Sequence, residues 1–176
     1  LLPELRALAG KLGLADRIEW RGAQPQEDVL ALYRSANLFV LASRIAGDGD
    51  RDGLPNVLME AQSQGVAVLA TRVSGIPELI DDGATGMLVE AGDPAGLAKG
   101  LETLIRQPAL RRRLGDAGYR RIQAQFDMEK GIDLLLERFT GGKEAVPGPE
   151  CGLGFLPPLN PPTHPGPPSP PPAPAP

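Results

Sequence analysis

Fourteen of the chain's 20 prolines fall between Pro147 and Pro176, and that distribution decides where a fold can be built. Proline lacks a backbone N–H and its ring fixes φ. The segment PGPECGLGFLPPLNPPTHPGPPSPPPAPAP can therefore neither continue a helix nor pair as a central strand. Residues 141–176 are expected to form a disordered, partly polyproline-II tail, whose PxxP-like spacing could also dock an SH3-type groove. The fold must come from residues 1–140, a length suited to one domain.

Within that span, short apolar runs alternate with helical periodicity. LLPELRALAGKLGL (1–14) reads as an amphipathic helix entered without a Met, as in a piece of a longer protein. RIEWRG (17–22) predicts a short strand stopped by Gly22. PQEDVLALYRSA (25–36) predicts a helix, with Pro25 at its first position and Val29, Leu32 and Tyr33 on one face. NLFVLAS (37–43) is an unbroken apolar run, as expected of a parallel strand covered on both faces. A loop of about twelve residues follows, too long to be mere connection. PNVLMEAQSQ (55–64) is a helix opened by Pro55 and closed by Gly65. VAVLAT (66–71) is a second buried strand, SGIPELI (74–80) a turn and short helix, and GMLVE (86–90) a third strand. Helices over about 94–106, 108–125 and 127–139 complete the pattern.

Such alternation predicts an α/β fold with a Rossmann-like, doubly wound parallel sheet. Ligands of these sheets lie beyond the carboxyl ends of the strands. The loop 44–54 stands there, contains Gly47, Gly49 and Gly53, and feeds a helix whose first N–H groups lack partners. A diphosphate suits that place, because the amides point at it and the helix dipole favours its charge.

Composition removes several classes of chemistry. The net charge of −4 and pI near 5.1 argue against nucleic acid as a partner. Cys151 and His164, the sole Cys and His, both lie in the tail. The span 1–140 thus has no Cys/His metal cluster, no Ser-His-Asp triad and no thiol nucleophile. Proton transfer there falls to carboxylates, Lys, Tyr or the substrate itself. No apolar run reaches about 18 residues and nothing resembles a signal peptide, so a cytoplasmic protein is expected.

DGDRDGLPNVLME (48–60) first suggests calcium, since Asp48, Asp50 and Asp52 alternate ahead of Gly53 as in half an EF-hand. The twelfth position, which should hold a bidentate Glu, is Met59. Glu60, one residue on, is turned by about 100° around a helix. A strand, not a helix, precedes the loop. No metal is expected.

DGLPNVLMEAQSQG followed by VAVLATRVSGIPELIDDGATGMLVEAGD resembles the donor-binding C-terminal half of family 4 glycosyltransferases of GT-B fold. The family pattern is E-x7-E inside EGLPNVLMEAMA-G-P-V-A-T, then G-IPE-L-DG-TG-LV. The resemblance runs through nearly all of residues 1–140. The GDGD stretch behind LAS is similar to bacterial exopolysaccharide and colanic-acid-type transferases.

The resemblance implies transfer with retention from a nucleotide-diphosphate sugar to a glycan or lipid-linked acceptor, without a metal or other cofactor. It implies that Asp52, at the first acid, lies near the donor sugar and stabilises the charged transition state. Glu60, at the second acid, would bind the ribose hydroxyls. Amides at Gly53, Leu54, Asn56 and Val57 would lie against sugar and diphosphate, and the loop from Arg21 and Gly22 to Gln24 near the nucleobase. The family's Arg…Lys pair and its acceptor-binding domain lie upstream of the segment matched here. This chain alone is accordingly expected to be inactive.

The chemistry is consistent with that assignment. An oxocarbenium-like sugar parting from a diphosphate needs a carboxylate near the sugar and N–H donors near the phosphate. Helical side chains lean towards the N-terminus, which carries Glu60 back towards the ligand end. Asp52 replaces the family's Glu and is a methylene shorter, setting its carboxylate about 1.5 Å back. A displacement of that size can cost on the order of 100-fold in rate.

Plainer roles stand beside these. Asp52 also suits an Asx turn before Gly53. Glu60 shares a polar stripe with Asn56, Ser63 and Gln64 and could face solvent. Asp48 and Asp50 read as solvated loop acids. Ser43 caps a strand end or touches substrate, and Glu78 is a helix N-terminal acid or shapes the base-side loop. Trp20 and Phe39 read as core. The arginines at 106, 111, 112, 113, 120 and 121 form a solvated helix face or meet anionic lipid in peripheral membrane contact. For the whole chain, the alternative to an enzyme is a non-catalytic nucleotide-sugar-binding or scaffold remnant. The intact LPNVLMEA and GIPELI blocks favour the enzyme.

Overall fold

The structure, a computed structural model, describes residues 1–47, 49, 53–126, 132, 135, 136, 138 and 139. Asp48, Asp50, Arg51 and Asp52, the tail over 141–176, and most of the helix expected over 127–139 lie outside the described residues.

Helix α1 spans Leu2–Lys11, and a single 3-10 turn follows at Ala15–Arg17. Then come α2 (Gln26–Ser35), β1 (Phe39–Leu41), α3 (Asn56–Ser63), β2 (Val68–Thr71), α4 (Ile76–Leu79), β3 (Met87–Val89), α5 (Pro94–Arg106) and α6 (Pro108–Gln125). The strands form a three-stranded parallel sheet in the order β1-β2-β3, with Phe39 opposite Val68 and Leu69 opposite Met87.

Alternate residues of β2 point to opposite faces, and each face meets its own core. On one side Val68 and Ala70 pack with Tyr33, Leu58, Ala61, Ile76 and Leu79. On the other, Ala67 and Leu69 pack with Leu104 and Leu114. The sheet is thus covered by α2, α3 and α4 on one face and by α5 and α6 on the other, the doubly wound arrangement expected.

Helix α6 also closes tightly on the end of α3. A Cβ at Gly115 would collide with the carbonyl of Gly65, and one at Gly118 would sit 2.8 Å from Gln62 Nε2. Gln62 is fully buried there and donates to Thr85 O at 2.8 Å.

Two expectations fail at the N-terminal edge. RIEWRG forms no strand: the 3-10 turn takes Arg17, residues 18–22 have no ladder partner, and Ile18 is 38% exposed. A single short strand with nothing to pair with is not stable on its own, so its apolar alternation goes unused. β1 is covered less fully on its second face, where Leu38 ahead of the strand packs on the core but Val40 does not. It is one of the sheet's two edge strands, and Val40 stays 37% exposed while Phe39 and Leu41 pack inward. The leucines of α1 and its C-cap are also uncovered: Leu8 is 51% and Leu12 62% exposed, and Ala9 is the helix's one buried residue. Phe39 joins the core as expected, whereas Trp20 is half-buried and belongs to neither cluster.

Candidate functional site

Because the strands are parallel, the loops leaving β1 and β2 emerge at the same end of the sheet. Two hydrogen bonds tie them together. Thr71 Oγ1, buried at the end of β2, donates to Ser43 O at 2.6 Å. The Gly75 amide donates to Gly53 O at 3.0 Å. The approach is close enough that a Cβ at Gly75 would stand 3.2 Å from Gly53 O and 3.4 Å from Leu54 Cβ. Ser74, just before it, takes φ of 48°, a left-handed conformation that costs energy for a residue other than glycine.

Helix α3 starts at this junction. Its N-cap is Pro55, which supplies no side-chain cap, so the leading N–H groups of Asn56 and Val57 are left to other partners. At α5 the same problem is solved internally, by Asp93 Oδ1 accepting from Gly96 N at 2.9 Å.

One turn into α3, Glu60 is half-buried between α3 and α2. Gln26 Nε2 lies 3.4 Å from its Oε1, and Tyr33 Oη lies 3.4 Å from its Oε2. Both are long for hydrogen bonds. The Tyr33 ring is only 7% exposed and meets Phe39 edge-on, centroids 5.4 Å apart and planes at 78°. Burial, then the charge of Glu60 and the hydrogen bond to it, raise the Tyr33 pKa above its ordinary value of 10.0. Its hydroxyl therefore stays a donor at neutral pH. Arg34 Nε donates to Gln64 Oε1 at 2.8 Å and fastens the far ends of the same two helices.

The structure brings Gly53, Leu54, Asn56, Val57 and Glu60 to the carboxyl end of the sheet. Gly53 is exposed, Leu54 packs on the core, and Asn56 and Val57 open the helix. Asp52 lies outside the described residues. Arg21 and Gly22 sit on an exposed loop ahead of α2, and among the described residues neither bonds to Glu60 or α3. Arg21 pairs with Glu19 at 2.8 Å, and its carbonyl accepts from Gln24 Nε2 at 2.6 Å. Gly22 takes φ of +63°. Sequence reasoning missed Gln26, Tyr33 and Gly75. For Tyr33 the signal was a phenol on an otherwise aliphatic helix face, since a buried Tyr hydroxyl needs a partner.

The plainer readings also find answers. Ser43 is a strand-end acceptor through its carbonyl. Glu78 lies in the first turn of α4 and is exposed. Several arginines of the basic stretch are committed to the protein itself. Arg111 Nη1 donates to Leu104 O at 2.7 Å, Arg113 Nη2 to Gly83 O at 3.2 Å, and Arg121 Nη2 to Glu78 O at 2.9 Å. Arg106 pairs with Glu102 at 2.9 Å. Among the described residues, no helix is long and apolar enough to cross a membrane.

The parallel sheet, with helices on both faces and the start of α3 at the carboxyl ends of its strands, defines a doubly wound α/β domain. Within that class, residues 2–121 match the family described as glycosyl transferases group 1, and the chain belongs to that family. It is 41% identical over 102 residues to the putative colanic acid biosynthesis glycosyltransferase WcaL of Salmonella typhimurium, covering 58% of this chain and 25% of that protein. It is 34% identical over 141 residues to the D-inositol 3-phosphate glycosyltransferase of Streptomyces avermitilis, covering 80% of this chain and 29% of that one. The chain thus spans well under half the length of these relatives. Sucrose-phosphate synthase from Thermosynechococcus elongatus superposes with a TM-score of 0.68 at 28% identity, over 80% of this chain and 35% of that one. Anabaena HepE, solved with UDP-glucose, shares the fold with a TM-score of 0.69 at 23% identity, over 80% of this chain and 36% of that one.

Proposed function

We propose that the intact protein is a retaining glycosyltransferase, and that residues 1–140 are its donor half. It takes a sugar from a nucleotide-diphosphate donor and passes it to a glycan or lipid-linked acceptor of a bacterial surface polysaccharide, on the cytoplasmic side. The observation that carries this reading is the junction at α3: an uncapped helix N-terminus with Glu60 one turn behind it. Family membership supports it, as do relatives named for polysaccharide assembly.

The roles follow from charge. The diphosphate meets the N–H groups of Gly53, Asn56 and Val57 and the positive end of α3. Glu60, an acceptor for two hydroxyl donors, suits a ribose diol. The loop holding Arg21 and Gly22 lies ahead of α2 and lines the base. Asp52 stabilises positive charge on the sugar as the bond to phosphate lengthens. A phosphate oxygen of the departing nucleotide takes the acceptor's proton, so no His is needed.

The test is donor binding to the intact protein by calorimetry, using UDP-, GDP- and ADP-sugars. One of these binds, and Glu60→Ala raises its Kd by at least about tenfold, the loss of hydrogen bonds to a charged group. Failure of the wild-type protein to bind any of them at millimolar concentration would contradict the reading.

A further inference from the structure

We infer that Tyr33 and Gln26 are positioning residues for the nucleotide's ribose, acting through Glu60. This rests on the donor-site reading above and adds to it two side chains from a different helix.

A Glu side chain has three rotatable bonds, and holding its carboxylate in one place costs rotamer entropy. At Glu60 that cost is met by neighbours on α2. Gln26 Nε2 stands at one carboxylate oxygen and Tyr33 Oη at the other, each at 3.4 Å. One donor per oxygen fixes both the direction and the plane of the carboxylate. It leaves each oxygen a further lone pair for a ligand hydroxyl.

The two donors differ in what holds them. Tyr33 belongs to the core: its ring is buried, packs edge-on against Phe39, and Phe39 pairs with Val68 in the sheet. Glu60 is thereby referenced to β1 and β2, the strands whose ends build the site. Gln26 is exposed and is the first residue of α2, two positions after the loop whose Gln24 closes on Arg21 O and Ala23 O. Movement of that loop on binding a base reaches Glu60 through Gln26. Hydrogen bonds of this kind tighten when substrate arrives.

The experiment compares ligands that differ only in the ribose diol. Binding of UDP, GDP and ADP to the intact protein identifies the tightest, and its 2′,3′-dideoxy counterpart is then measured. The wild-type protein prefers the ribose form by about tenfold or more. Tyr33→Phe keeps the ring packing and removes only the hydroxyl. It lowers that preference at least about threefold and leaves the dideoxy affinity within about twofold. Gln26→Ala, an exposed change that does not threaten folding, moves the preference the same way. Equal weakening of both ligands in Tyr33→Phe, or an unchanged preference in both variants, would overturn the positioning role. A wild-type preference near one would overturn it too, while leaving a donor site in place. If none of the three diphosphates bound, the donor reading would fail and this inference with it.

Discussion

The Gly75 amide donates to the Gly53 carbonyl at 3.0 Å, joining two loops that lie 22 residues apart in the chain. Gly53 ends the loop that feeds α3, and Gly75 begins the turn into α4. The bond therefore sets where the first amides of α3 stand relative to the end of β2. Gly75→Val would push a side chain into Gly53 O and Leu54 Cβ, which a single Cβ already approaches at 3.2 and 3.4 Å. Donor affinity should fall by about tenfold or more, because the loop carrying the ligand amides must move. Thermal stability should fall less than for a core change. Calorimetry beside a melting curve separates the two.

Gly115 is a packing position of a different kind. A Cβ there meets the backbone of Gly65 and not a side chain that could turn away. Gly115→Ala should cost about 1–3 kcal/mol of stability, the usual penalty of overpacking a close helix contact, despite the gain in helix propensity. Urea denaturation checks it, and a stability equal to wild type would show that α6 can slide off the end of α3.

The raised pKa of Tyr33 gives a pH dependence with a definite sign. Tyr is neutral when protonated, and the folded value lies above the ordinary one of 10.0. As pH rises the unfolded chain loses this proton first. The stabilising contribution is therefore complete below about pH 10 and is lost as pH climbs through the folded value. Denaturation midpoints at pH 9 and 11 should show a drop that is smaller in Tyr33→Phe. An identical drop in both proteins would mean that the hydroxyl loses nothing by folding.

The uncovered leucines predict how this chain behaves alone. Leu8 on α1 and Leu12 at its C-cap stand 51% and 62% exposed. An apolar surface of this kind binds hydrophobic dyes and favours self-association. The isolated chain should bind anilinonaphthalene sulfonate, and Leu8→Lys with Leu12→Lys should reduce the signal without lowering the melting temperature. Undiminished dye binding would place the exposed apolar surface elsewhere.

Much of this architecture could be read from local pattern. The run VAVLAT had to be buried on both faces, and Val68–Thr71 is. Pro55 marked the start of α3 to within one residue, because proline suits a helix start and nothing further in. What escaped reading was relational. Tyr33 was placed on the buried face of its helix correctly, but its hydroxyl finds Glu60 27 residues away, which no periodicity reports. The Gly53 to Gly75 bond is hidden for the same reason. RIEWRG failed differently: its composition favours a strand, but a strand exists only beside another strand, and β1's free edge meets none among the described residues.

The most direct test of a donor site at α3 is a titration of the intact, isotopically labelled protein with the nucleoside diphosphate that binds tightest, following backbone amide resonances. The amides of Gly53, Asn56 and Val57 should move most and together, since Asn56 and Val57 carry the N–H groups left open at the helix start and Gly53 leads into it. Movements centred on another element, such as the N-terminus of α5, with those three amides unmoved, would contradict the account.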